Sequence, residues 1–246
     1  MKTKTVYRCM SCINESSKWS AKCLECGSFG TIEEITVAKP SKAKPGAGQP
    51  VSSAAPVNPL LRLRDVKTGN SDRIVSSLNE FNRVMGGGIV KDSVSIITAK
   101  PGAGKSTLLL QVADDLAAKG YRVLYATGEE SESQIKSRAD RILRNIHENI
   151  WVVPDNSMNN VLGHIASVDP DLIIIDSIQT FTLEEHFPSR AGSPTQTMEC
   201  ANAMVRIAKN PSRPRAVILV GQMNKNEEMA GLRSLEHLVD TVLVIE

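Results

Sequence analysis

A lysine set directly behind two closely spaced glycines can hold a chain of phosphates. The run Lys100-Pro101-Gly102-Ala103-Gly104-Lys105-Ser106-Thr107 has that form. Glycines let backbone N–H groups turn toward phosphate oxygens with no Cβ in the way, and a helix starting behind them adds partial positive charge. Lys105 has the reach for β- and γ-phosphates, and the Ser106 hydroxyl is a ligand type for Mg²⁺. Pro101, Gly102, Ala103, Gly104, Lys105, Ser106 and Thr107 are the candidate nucleotide cradle. The full pattern opens with glycine where this chain has Ala99. A positive φ at that position would cost an alanine on the order of 1–2 kcal/mol. The bland alternative is a glycine-rich turn carrying an incidental lysine.

Three further polar groups suit the same chemistry. The apolar run 172–175 ends in Asp176, an acid placed to meet the Mg²⁺ shell. Glu129, in Thr127-Gly128-Glu129-Glu130-Ser131, can orient and deprotonate an attacking water. Its neighbours Glu130 and Glu132 suit the positive end of a helix instead. Gln222 follows the apolar run 216–220 and is a candidate γ-phosphate sensor, or simply a polar loop residue.

A separate chemistry opens the chain. Cys9-Met10-Ser11-Cys12 and Cys23-Leu24-Glu25-Cys26 are two C-x₂-C pairs. Such pairs bring four thiolates to one tetrahedral Zn²⁺ in a closed, structural site. A segment this short has little core, so the metal must supply much of its folding energy. Cys200 falls mid-helix and is expected to be a small buried residue.

These residues need elements to position them. Strands are expected at 94–99, 122–126, 151–153, 172–175, 216–220 and 241–245. A helix over 107–119 buries Leu109, Val112, Ala113 and Leu116 and stops at Gly120. Ser131 and Gln134 form a capping-box pattern, behind which Ile135, Ala139, Ile142, Leu143 and Ile146 recur at helical spacing. Further helices are expected over 160–168 and from Ser193-Pro194 to about Lys209. Apolar strands separated by amphipathic helices predict an α/β fold, a mostly parallel sheet covered on both faces. Residues 38–60, rich in Pro, Ala, Ser, Gly and Lys, read as a tether between a module at 1–37 and a globular domain at 61–246.

The 246 residues are 41% hydrophobic and 23% charged, ordinary for a globular protein. Net charge is +2, but residues 1–60 hold 8 Lys/Arg against 4 Asp/Glu, so the N-terminal part suits a polyanion. No apolar run has the length of a membrane span, and Met1–Cys9 lacks a secretory signal. A cytoplasmic, reducing setting without membrane contact is the expectation, which favours metal ligands over disulfides.

The motifs, in this order, resemble the RadA/Sms family of bacterial DNA-recombination ATPases. The segments carrying the likeness are CMSCINESSKWSAKCLECGSFGTI, SSLNEFNRVMGGGIVKDSVSIITAKPGAGKSTLLLQVADDLA, VLYATGEES, LIIIDSIQT and MAGLRSLEHLVDTVLVIE. The resemblance implies a RecA-like P-loop ATPase domain behind a small zinc-ribbon-like module, with ATP, Mg²⁺ and Zn²⁺ as cofactors. It implies binding of single-stranded or branched DNA, a homo-oligomeric ring, branch migration or strand exchange, and recombinase or replicative proteins as possible partners. It casts Glu129 as the water-activating acid and Gln222 as the link between γ-phosphate and DNA-binding loops near 187–195 and 223–233. Arg190, Lys225 and Arg233 are the basic residues there that can meet phosphates. The family pattern continues into a Lys-Asn-Arg-Phe-Gly motif and a Lon-protease-like domain beyond these residues. It also has a glycine where Lys225-Asn226-Glu227 stands. A fragment or shortened relative with weak turnover is therefore expected as one outcome. The alternative function is a nucleotide-gated DNA- or protein-binding switch with little hydrolysis, or a helicase-loader-like ATPase acting on protein.

Overall fold

In the computed structural model, residues 3–9, 15–16, 18–24, 27–38, 62–65, 73–222 and 235–246 are described. The chain divides into two compact units, Met1–Lys67 and Thr68–Glu246. Apart from Ala38, the expected tether at 38–60 lies outside the described residues.

The first unit holds an antiparallel sheet of β1 (Thr3–Cys9), β2 (Glu15–Ser16) and β3 (Ile32–Ala38), with β1 in the middle. Cys9 pairs with Ile32 at the end of the β1–β3 ladder. Between β2 and β3 the chain doubles back around Cys23. The Gly27 N–H donates to the Cys23 carbonyl at 2.9 Å, and the Cys23 N–H donates to Ser28 at 2.9 Å. Among the described side chains of this unit, only Cys9 and Cys23 are buried.

The second unit opens with the short helix α1 (Asn79–Val84) and then alternates strand and helix. The strands are β4 (Val94–Ala99), β5 (Val123–Thr127), β6 (Ile150–Val153), β7 (Leu172–Asp176), β8 (Ala216–Gln222) and β9 (Thr241–Ile245). The helices are α2 (Lys105–Ala118), α3 (Glu132–Ile142), α4 (Met158–Val168) and α5 (Pro194–Ala208). The strands form one sheet in the order β6-β5-β7-β8-β4-β9, and every neighbouring pair is parallel.

The strand sequences explain the layers. Successive side chains point to opposite faces. Val94, Ile96, Ile173, Ile175, Val217 and Leu219 enter the core beneath α4 and α5. Ile97, Leu172, Ile174, Ile218 and Val220 enter the core beneath α2. Both faces are covered, so the strands are continuously apolar rather than alternating. Fully burying each Leu or Ile contributes about 1.5–3 kcal/mol. Because all strands run one way, their C-terminal ends share one edge.

The helix termini follow from their caps. Ser131 and Gln134 make both bonds of the capping box. Ser193 caps α5, with Pro194 in its first turn. One expectation is corrected: α3 stops at Ile142, Leu143 is extended, and Ile146 is 41% exposed beyond it. The helix carries its buried stripe on Ile135 and Ala139, and the spacing of Ile146 is incidental. Helix α4 starts two residues before the expected position, at Met158, because Ser157 caps it. No helix among the described residues is long and apolar enough to cross a membrane.

Candidate nucleotide-binding site

The loop between β4 and α2 lies at the C-terminal edge of the sheet. Gly102 and Gly104 have φ of 82° and 86°, and Gly104 is the N-cap of α2. A side chain at either position would strain this backbone, which is why glycine stands at both. The space where a Cβ would stand is open at both. The first turn of α2 carries no acidic residue, so its positive end is left for an anion. Ala99 is the last residue of β4, fully buried, and is not among the residues with positive φ. The strain expected of alanine there is therefore not incurred.

Lys105 curls back over the loop, its Nζ donating to the carbonyls of Ala99 at 3.0 Å and Lys100 at 3.4 Å. The next side chain links to a distant strand: Ser106 Oγ donates to Asp176 Oδ2 at 2.6 Å. Tyr125 OH donates to the same oxygen at 2.6 Å. Burial, then the neighbouring Asp176 charge and its hydrogen bond, push the Tyr125 phenol well above its ordinary value, so it stays a donor. Asp176 is thus held from two sides at the end of β7.

A second cluster sits beside the first. Glu129 Oε1 accepts from Ser177 Oγ at 2.8 Å and from Gln222 Nε2 at 2.7 Å. The Glu129 N–H donates to Thr127 Oγ1 at 3.3 Å, which tightens the turn leaving β5. Gly128 is required here by close approach: a Cβ on it would stand 2.4 Å from Thr180 Oγ1 and 2.9 Å from Thr180 Cβ. Glu130 points elsewhere and pairs with Arg138 on α3, while Glu132 occupies the first turn of α3.

The fold therefore gathers Lys105, Ser106, Asp176, Glu129 and Gln222 from four parallel strand ends. Tyr125 and Ser177, which sequence reasoning missed, bond Asp176 and Glu129. Ser177 directly follows Asp176 and was open to discovery as a strand-end hydroxyl. Tyr125 was hidden inside an apolar run.

The other expected residues fall as follows. Arg190 is exposed on the loop before α5, where its carbonyl accepts from the Ser193 N–H. Lys225 and Arg233 lie outside the described residues. Cys9 and Cys23 line one cleft with Trp19 and Ile32. Cys12 and Cys26 lie outside the described residues, and among the described residues no three His, Cys, Asp or Glu side chains converge. Cys200 is fully buried in α5, and burial followed by the Glu199 charge pushes its thiol up to about 12, so it is an inert core residue.

Residues 57–228 match the family model described as an AAA domain. The chain is similar along its whole length to proteins named DNA repair protein RadA. Identity is 38% with that of Mycolicibacterium smegmatis and 39% with that of Bacillus subtilis, the match covering 52% of each relative. With that of Campylobacter jejuni it is 36%, covering 53% of the relative. The chain spans about half the length of these relatives. It belongs to the AAA domain family, and its resemblance to the RadA/Sms proteins is borne out along its whole length.

Proposed function

We propose that the chain is a DNA-stimulated ATPase of recombination and repair, RecA-like in its second unit, that acts on single-stranded or branched DNA as a homo-oligomer. The observation that carries this reading is the 2.6 Å hydrogen bond from Ser106 to Asp176. It brings a phosphate-loop hydroxyl and a strand-end carboxylate to one point. Hydroxyl and carboxylate oxygens are the hard donors that suit Mg²⁺, which keeps several waters beside them.

In this reading the loop N–H groups of residues 101–107 cradle the phosphates, and Lys105 leaves its two carbonyl partners for the β- and γ-phosphates. Ser106 and Asp176 would hold Mg²⁺, which when bound would supply neutralisation of phosphate charge. Glu129 takes a proton from water as the water oxygen bonds to the γ-phosphorus. The bond from that phosphorus to the leaving oxygen of ADP breaks, giving ADP and inorganic phosphate. Ser177 and Gln222 keep the Glu129 carboxylate oriented for that transfer.

The DNA side of the reading is supported by the relatives, which are named DNA repair proteins. Arg190, Lys225 and Arg233 are the side chains we assign to phosphate contacts, and strand exchange or branch migration is the work they serve. Zn²⁺ in the first unit is supported by the burial of Cys9 and Cys23 in a unit with no other buried side chain among those described. The donor set fits: Cys9 and Cys23 would hold the ion together with Cys12 and Cys26, as a structural site.

The reading is tested by ATP affinity with and without Mg²⁺. The wild-type chain should bind tighter with Mg²⁺. Lys105→Ala should weaken binding by roughly 10- to 100-fold, the scale of a lost charge-assisted hydrogen bond. Asp176→Asn should erase the Mg²⁺ effect. Wild-type affinity in Lys105→Ala, or a Mg²⁺ effect retained in Asp176→Asn, would overturn the assignment.

A further inference from the structure

We propose that Gln179 is a positioning residue for hydrolysis: its side-chain amide stands in for a missing strand neighbour of Gln222 and so fixes Gln222 against Glu129. This rests on the reading of Glu129 as the group that activates water.

Strand β8 is flanked by β7 and β4, but the two ladders differ in length. The β7–β8 ladder ends at Ile175 opposite Leu219, whereas the β4–β8 ladder runs on to Ala99 opposite Gln222. On its β7 side, the last part of β8 has lost its strand partner. Gln179 takes that place. Its Nε2 donates to the Gln222 carbonyl at 3.2 Å, and its Oε1 accepts from the Gln222 N–H at 3.4 Å. One side chain thus meets both the N–H and the C=O of Gln222, the two backbone groups a neighbouring strand would otherwise satisfy.

The amide works only if its own backbone is fixed, and it is. Gln179 lies in the one-turn 3-10 helix Ile178–Thr180. Ile178 and Phe181 on either side of it are fully buried in the core under α4 and α5. Thr180 Oγ1 donates to the Ser177 carbonyl at 2.8 Å, closing the turn. The same turn supplies Ser177, whose Oγ bonds Glu129 directly. One stretch of four residues therefore sets both donors on the Glu129 carboxylate, Ser177 by contact and Gln222 through Gln179. Gln222 directly precedes the segment that carries Lys225 and Arg233.

The test uses the 246-residue chain. Gln179→Ala should lower kcat by roughly 5- to 10-fold, with ATP affinity and melting temperature at wild-type values, because the loss is one of orientation. On a Gln222→Ala background the same substitution should have no further effect. Hydrogen–deuterium exchange of the Gln222 amide reads the bracket independently of turnover and should be faster in Gln179→Ala. Unchanged exchange, or rate losses from the two substitutions that add, overturns the proposal. A Glu129→Gln control separates the failures. Wild-type hydrolysis in Glu129→Gln sinks the reading of Glu129. A slow Glu129→Gln beside a wild-type Gln179→Ala sinks the role of Gln179 alone.

Discussion

Gln222, at the end of β8, donates a 2.7 Å hydrogen bond to Glu129, which lies 93 residues earlier on the turn after β5. Ser177, the residue after strand β7, which lies between β5 and β8 in the sheet, donates to the same carboxylate oxygen. A carboxylate gripped by two neutral donors from rigid strand ends has little freedom to rotate. That is the preorganisation that the proposed proton transfer from water would require.

Glu129→Gln should keep ATP binding and slow phosphate release by about 100-fold or more, the usual contribution of a general base. Side-by-side nucleotide affinity and single-turnover hydrolysis check it. Hydrolysis at the wild-type rate would move the role to another residue.

Gly128→Ala forces a Cβ into Thr180, with contacts at 2.4 and 2.9 Å. Overpacking of this kind costs about 1–3 kcal/mol. Because the displaced residue neighbours Glu129, kcat should fall more than ATP affinity. Thermal melting and steady-state kinetics measure both, and a variant with wild-type kcat would show that the Gly128–Thr180 contact has no bearing on Glu129.

Much of this arrangement was legible in the residues. The buried strands are unbroken apolar runs, so their number and order along the chain could be read, and the cap residues Ser131 and Ser193 marked two helix starts. The glycine-lysine loop at 100–107 and the acid closing the apolar run at Asp176 stood out by residue type and spacing. What the sequence hid depends on three-dimensional register. Nothing near Gln179 says that β8 outruns β7, so its pairing with the Gln222 backbone has no local signal. Ile146 misled because spacing continues where the helix does not. Tyr125 looked like a core aromatic because its ring is one, and only the sheet order reveals the acid beside its hydroxyl.

At the opposite edge of the sheet, Asp169 is met by Arg122, Arg213 and Arg215. The Arg213 hydrogen bond, against the opposing effect of burial and with help from Arg122, holds its carboxyl at about 2 instead of the ordinary 3.8. The folded value lies below the unfolded one, so the stabilisation is present above pH 3.8 and disappears as pH falls toward 2. Asn tolerates the left-handed backbone at this position, φ 46°, so Asp169→Asn isolates the charge. The variant should melt lower at neutral pH and lose less stability on acidification through that window. An acid dependence identical to wild type would remove Asp169 from the network.

A chelator should release one Zn²⁺ per chain and unfold the first unit without changing the melting of the second. Cys23→Ser should carry no zinc. Metal analysis with amide exchange in β1 and β3 checks both. Metal-free protein with protected amides in those strands would contradict the four-thiolate site.

The most direct test of the central claim is phosphate release from ATP by the 246-residue chain, with and without single-stranded DNA. The account predicts turnover that rises with DNA and vanishes in Lys105→Ala. ATP binding with no turnover under either condition, or turnover that survives in Lys105→Ala, would contradict it.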